Sequence, residues 1–140
     1  MSVIVEFFAS PDDTSAALTA PTGPGRALPS CRFGNFDAEG AILEWESALT
    51  GDTVEALIEA DEPRWLTAPD NSGCLVLALS PRLTTALATA TPAQLDETVG
   101  TWTAEAPALA PETATEILTE LAALATTAHH NGESLYCWTV

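Results

Sequence analysis

Short apolar segments mark the strands that the sequence predicts. Residues 3–8 read VIVEFF, and β-branched and aromatic residues of this kind favour an extended chain. Residues 74–79 read CLVLAL without polar alternation, which predicts a strand covered on both faces. Residues 135–140 end the chain in a third such run, and residues 31–36 form a further brief extended stretch. We therefore expect a small sheet of about three or four strands.

The segments between the first two strands contain helix starts. Ser10-Pro11-Asp12-Asp13 predicts a short helix capped by Ser10, and Asp37 caps a helix to about Thr50, where Gly51 suits a left-handed end. A third short helix is expected over 53–60, after a capping-box pattern. The apolar stripe of the second helix is predicted to comprise Ile42, Trp45 and Leu49.

Three more helices are predicted after residue 80. Ser80-Pro81 and Thr91-Pro92 are cap-and-proline pairs that start helices to about residues 89 and 104. The clearest helix covers roughly 112–130, and Asn131-Gly132 stops it. Its buried stripe is predicted to comprise Ile117, Leu121, Leu124 and Ala128.

Two loops complete the predicted organisation. Residues 20–30 contain three prolines and two glycines and are expected to form a flexible loop. Residues 61–73 are expected to form a second loop, which holds Trp65 and ends in a turn at 70–73. Strands separated by about five or six helices predict an α+β fold, with residues 1–140 as one globular domain.

The charge of the chain excludes whole classes of partner. Twenty acidic residues face only four basic ones, and the formal net charge is -16. Such a surface repels a phosphate backbone, so we expect no nucleic-acid partner. The apolar runs are far short of the ~20 residues that span a bilayer, so we expect no membrane partner.

The first residues, the cysteines and the composition of the chain predict the cellular compartment of the protein. The first residues lack the basic region of a secretion signal. Three widely spaced cysteines without a C-x-x-C pair are typical of reduced thiols. An alanine-rich chain that contains no lysine is associated with bacterial proteins, and we expect a cytoplasmic bacterial protein.

A series of features along the chain resembles one protein family. The MSVIVEFFA start is followed by an acidic, tryptophan-bearing helix that ends in Leu49-Thr50-Gly51, and then by a Leu79-Ser80-Pro81 strand-to-helix junction. A helix opening at 91–95, a long helix running into Asn131-Gly132 and a final apolar strand complete the series. In this order the features resemble the YfbM-like family of uncharacterised bacterial proteins. The resemblance implies a small α+β fold in the bacterial cytoplasm, and it carries over no catalytic residues.

We find no catalytic signature in the chain, and we expect no cofactor and no bound metal. The absence of lysine excludes Schiff-base chemistry and a Walker-type phosphate loop. His129 and His130 point about 100° apart on a helix, which suits interaction with its negative end better than a shared metal. Cys31 is the thiol expected to be most accessible, because it follows the Pro/Gly loop. Its neighbour Arg32 favours a lowered pKa, but a free cysteine usually behaves as a small buried apolar residue, and we favour that interpretation.

Acidic residues without basic partners are the candidate interaction sites. One group lies four residues apart on the longest helix, and the other crowds the helix after Asp37, where the spacing suggests exposure. Trp65 lies in a loop, where an aromatic side chain is either a lid over the core or an exposed contact. The predicted interaction residues are Glu112, Glu116, Glu120, Asp37, Glu39, Glu44 and Trp65.

These residues lead to a functional hypothesis and to two alternatives. We expect a non-catalytic interaction module that presents an anionic surface to a basic protein, as an immunity protein or antitoxin does. The first alternative is a small enzyme or ligand-binding domain with a site between helices and sheet, anchored by Arg32, Tyr136 or His130. In the second alternative, the charge serves only solubility. The oligomeric state is left open.

Overall fold

A computed structural model describes residues 3–25, 27–67 and 73–140. The fold is α+β, as predicted, with one antiparallel sheet in the strand order β2-β1-β5-β4-β3. The strands are β1 (Ile4–Ser10), β2 (Ser30–Gly34), β3 (Arg64–Trp65), β4 (Leu75–Ala78) and β5 (Ser134–Thr139). Within the described residues the sheet has five strands, which exceeds the prediction of three or four. The C-terminal strand β5 lies at its centre.

Six helices are described, and most begin where the caps predict. Ser80 accepts the N–H of Leu83 at 3.0 Å, and Thr91 and Gln94 form the predicted capping box. The helices are α1 (Asp13–Ala17), α2 (Ala38–Thr50), α3 (Val54–Glu59), α4 (Pro81–Thr89), α5 (Pro92–Glu105) and α6 (Pro111–His130). Gly51 ends α2 in the left-handed conformation, with φ 84°. Among the described helices, none combines the length and the apolar character that crossing a bilayer requires.

The predicted cap of α1 is wrong by two residues. Ser10 is the last residue of β1, where it pairs with Ser134 of β5 and is buried. Asp12 caps the helix instead, and its carboxylate accepts the N–H of Ser15 at 2.7 Å. Sheet pairing therefore takes Ser10 out of the helix start, which a local pattern of cap and proline does not reveal.

One face of the sheet packs against helices α2, α4, α5 and α6 and forms the larger core. Alternate residues of the strands point to this face, including Phe7 of β1 and Leu77 of β4. The centre of the helix layer is Trp45, which packs against Phe7 and Trp102. The predicted stripes of α2 and α6 are confirmed, except that Leu49 is only partly buried.

The opposite face of the sheet is covered by α1 and by the segment that follows it. Phe8, Val76 and Tyr136 are buried there, and the Trp138 indole donates to the carbonyl of Ala20 at 2.9 Å. The predicted covering of β4 on both faces is therefore confirmed. From the predicted Pro/Gly loop, Ala20 and Leu28 pack against this face. The flexibility of the loop stays a prediction, and residue 26 lies outside the described residues.

The loop predicted over 61–73 contains an unpredicted strand. Arg64 and Trp65 form β3, and they pair with Ala78 and Leu77 at the edge of the sheet. Two residues are too few for an alternating pattern, so the sequence gives no local signal for this strand. Residues 68–72, with most of the predicted 70–73 turn, lie outside the described part of the chain.

Candidate interaction surface around helix α2

A cavity of about 590 Å³ lies at one end of the helix-covered face of the sheet. Val3, Leu75, Leu77 and Thr139 line it from the sheet. The start of α2 lines it opposite them, through Asp37, Ala38 and Glu39. The cavity is thus apolar on its sheet side except for Thr139, and it carries two carboxylates on its helix side.

The register of the sheet explains why Trp65 lines this cavity. Trp65 of β3 lies opposite Leu77 of β4, and Leu75 lies opposite Thr139 of β5. Residues directly opposite each other on paired strands project to the same face. Trp65 therefore projects to the helix side of the sheet, where it reaches the first turn of α2.

Two smaller hollows adjoin the cavity around the N-terminal half of α2. One, of about 460 Å³, shares Glu39 and Trp65 with the cavity and is also lined by Asp61 and Glu62. The other, of about 270 Å³, shares Phe36 and Asp37 and extends to α5. The carboxylates that line the three hollows are Asp37, Glu39, Glu44, Asp61, Glu62 and Glu105. We call these six residues, together with Trp65, the α2 acidic surface.

The α2 acidic surface has a single sign of charge. No arginine is among the described residues that line the three hollows. The two ion pairs of the described residues, Arg64 with Asp13 and Arg82 with Asp52, use acids outside this surface. The charge of Arg64 acts on Glu62, but six carboxylates that face shared hollows still outnumber it and create a negative potential that favours cations.

Exposed apolar side chains concentrate at the same place. Of the five large apolar side chains that are exposed among the described residues, Val3, Ile58 and Trp65 line the cavity or the hollow beside it. Trp65 is 53% exposed, and its indole N–H donates to the carboxylate of Glu39. Exposed apolar groups surrounded by charged residues are typical of contact surfaces.

On the opposite face of the sheet, a salt bridge connects β3 to α1. Arg64 donates to Asp13 Oδ2 at 3.0 Å, and the Tyr136 hydroxyl donates to Asp13 Oδ1 at 2.8 Å. The bonds from Arg64 and Tyr136 hold the pKa of Asp13 below its usual value. Burial, and then the bond to Asp13, raise the pKa of Tyr136 to about 12. This contact fixes the strand that presents Trp65.

Replacing Asp13 with asparagine is expected to destabilise the fold by about 0.5–1.5 kcal/mol at pH 7, because one acceptor and the ion pair are lost. A lowered pKa in the folded state means that this contribution is present above about pH 4 and is lost as the pH falls through the folded pKa. Urea unfolding at pH 7 and near pH 3 measures the difference. The matched control is Asp96→Asn on α5, an exposed carboxylate; an equal effect of both variants would contradict the assigned role of Asp13.

One acidic residue of α2 is buried, contrary to the prediction that these residues are exposed. Glu46 is only 3% exposed, and it accepts the Ser80 hydroxyl at 2.8 Å. Burial raises the pKa of Glu46. Burial, followed by the charge of Glu46, also raises the pKa of Glu62. The spacing of Glu46 from Ile42 places it on the apolar stripe of α2, and this signal was available in the sequence.

The second predicted acidic group lies elsewhere. Glu112, Glu116 and Glu120 are exposed on α6, as predicted, but line none of the three hollows. The structure therefore does not bring them together with Asp37, Glu39, Glu44 and Trp65, which share one surface. Residues 61, 62 and 105 of that surface were not predicted, because they lie on segments that are distant from α2 in the sequence and reach it only in the fold.

The prediction that Cys31 is the most accessible of the three thiols is confirmed, because Cys31 is partly exposed and the other two are buried. Burial, together with the charges of Glu120 and Glu6, raises the pKa of Cys31 to about 12, although Arg32 is its neighbour in sequence. Cys137 is buried in β5, and Cys74 is buried immediately before β4; both are core residues, as predicted. In the described ranges, no three His, Cys, Asp or Glu side chains are grouped so that they could hold a metal ion.

The anchors of the alternative ligand site are not brought together. Tyr136 is bound to Asp13 on the opposite face of the sheet, and Arg32 lies in β2 beside Glu6 of β1. His130 is the last residue of α6 and is exposed. None of the three lines the cavity beneath α2.

No family model, no curated protein and no solved structure matches this chain. The resemblance to the YfbM-like family therefore stays a prediction.

Proposed function

We propose that this protein is a non-catalytic interaction module that receives a basic protein on the α2 acidic surface. The observation that carries the proposal is the coincidence of six carboxylates and three exposed apolar side chains around three adjoining hollows. A cationic partner gains from both features, because the carboxylates attract it and the apolar groups are buried on contact.

The composition of this surface supports the proposal in a second way. Exposed tryptophan is common among the residues that contribute most to protein binding, and its surroundings exclude water when the complex forms. Trp65 occupies this position between Glu39 and the apolar strand ends. Charges around such a contact raise the encounter rate and reject partners of the wrong sign.

The biological setting that we propose is the cytoplasm of a bacterium. Neutralisation of a cationic protein, in the manner of an immunity protein or an antitoxin, is one form of the role. Membership of the YfbM-like family is compatible with this setting and belongs to the same proposal.

Affinity capture from a bacterial lysate tests the proposed function. We expect the immobilised protein to retain a basic protein at low salt and to release it at high salt, because ions screen the attraction between surface charges. A variant with Asp37→Asn, Glu39→Gln and Trp65→Ala is expected to lose this partner. The charge-matched control with Glu112→Gln and Glu116→Gln, which also removes two negative charges, is expected to retain it. Failure to retain any basic protein at low salt would count against the proposal.

The size and position of the first cavity favour one alternative. Its volume of about 590 Å³ falls in the range of small-molecule sites, and it lies between α2 and the sheet. A small-ligand-binding domain, or a small enzyme, would use this cavity without a protein partner. Binding of a small cationic metabolite to the native protein, with no basic protein captured, would favour that alternative.

A further inference from the structure

Trp65 and Glu39 separate the cavity from the hollow of about 460 Å³, and we call this pair of side chains the wall between them. Both residues line the 590 Å³ cavity and the 460 Å³ hollow. The bond from the indole N–H to Glu39 orients the ring and the carboxylate relative to each other. The indole stays 53% exposed, so its π-surface is available for contact.

The lining on either side of this wall selects an elongated ligand with a charged end. Leu75 on one side, and Leu43 and Ile58 on the other, can contact an aliphatic stem. The carboxylate of Glu39 lies beside them, so a cationic head could remain near it while the stem is buried. Long basic side chains behave in this way, with the stem on apolar surface and the charge near water.

We propose that the wall formed by Trp65 and Glu39 recognises an arginine side chain of the basic partner. A guanidinium is planar and weakly hydrated, so it stacks on an indole and presents a fork of donors to a carboxylate. A lysine ammonium offers the same charge but no plane to stack. This inference rests on the proposed function and specifies the residue type that the surface selects.

The probes for this inference are two acetylated, amidated peptides in which glycines separate either two arginines or two lysines. We expect the arginine peptide to bind the full chain at least about twofold more tightly than the lysine peptide, because both cations are attracted to the indole but only the guanidinium stacks on it. Titration of ¹⁵N-labelled protein measures both affinities. The indole N–H signal of Trp65, identified by its loss in Trp65→Phe, is expected to shift more with the arginine peptide.

Single substitutions test whether Trp65 and Glu39 cause the preference for the arginine peptide. Trp65→Leu is expected to remove the arginine preference, so that the two peptides bind with equal affinity, because an aliphatic side chain offers no π-surface on which a guanidinium can stack. Glu39→Gln is expected to weaken both peptides and to reduce the preference. The charge-matched control is Glu116→Gln on α6, which is expected to keep the preference. Circular dichroism verifies that each variant is folded.

The outcomes separate this inference from the proposed function. Equal affinity for the two peptides, or a preference that survives in Trp65→Leu, would overturn arginine recognition and leave the basic-partner proposal standing. If neither peptide binds the native protein at low salt, while both bind a control anionic protein, both proposals are overturned.

Discussion

Replacing Trp45 with alanine is expected to lower the free energy of unfolding by about 3–5 kcal/mol, the range for truncating a large buried aromatic residue. Trp45 is fully buried, with its ring centroid 4.9 Å from that of Trp102 in an edge contact and 5.6 Å from that of Phe7. The substitution removes these contacts and leaves a cavity where α2, α5 and β1 meet. Urea unfolding followed by circular dichroism measures the loss.

The same substitution at Trp65 provides the matched control. Because Trp65 is 53% exposed at the edge of the sheet, Trp65→Ala is expected to cost less than about 1 kcal/mol. The contrast decides whether Trp65 acts as a contact residue or as a lid over the core. A loss at Trp65 as large as that at Trp45 would show that Trp65 belongs to the core, and its place in the binding surface would then have to be abandoned.

Glu46→Gln is expected to stabilise the fold by about 1 kcal/mol at pH 7, because it removes a buried charge and leaves an acceptor for the Ser80 hydroxyl. The pKa of Glu46 is raised in the folded state, so its favourable contribution is complete below the unfolded pKa of about 4.3. That contribution is lost as the pH rises through the folded pKa. The advantage of the glutamine variant is therefore expected to grow from about pH 4 to pH 7.

Unfolding of both proteins at a series of pH values measures this difference. Glu116→Gln on α6 is the control, because it removes one charge from an exposed position and reports the general effect of net charge. Glu46→Ala removes the acceptor for Ser80 as well and is expected to destabilise the fold. An advantage of Glu46→Gln that stays constant with pH, or one that Glu116→Gln reproduces, would contradict the buried state of Glu46.

The parts of the fold that were predicted correctly depend on local signals. The continuous apolar run of β4 predicted burial on both faces, and the structure buries Val76 and Leu77 on opposite sides. The caps at Ser80 and Thr91 predicted where α4 and α5 begin, since a side-chain oxygen close in sequence satisfies the first free N–H groups.

The parts that were missed depend on contacts between distant segments. β3 is a strand because Arg64 and Trp65 pair with β4. A pattern of two residues is too short to predict that pairing. Glu46 tolerates burial because Ser80, 34 positions away, donates to it. Long-range contacts of this kind are set by tertiary packing, which propensity and spacing do not encode.

The candidate site was predicted in its residue types and only partly in its arrangement. Asp37, Glu39 and Glu44 share one helix, so their proximity follows from helical spacing. The sheet then adds Trp65 to them, because its register places Trp65 opposite Leu77. The acidic residues of α6 also lie on one helix without basic partners, so the sequence did not distinguish them from those of α2. The packing of the helices shows that they lie on a different surface.

Mapping the contact surface of a basic peptide by amide chemical shifts tests the central claim most directly. With the lysine peptide at low salt, we expect the largest changes at residues 35–44 and 58–66 and at the indole of Trp65, and we expect them to diminish as salt is added. Changes centred on residues 112–120 of α6, or no changes at low salt, would contradict the claim that the α2 acidic surface is where this protein binds its partner.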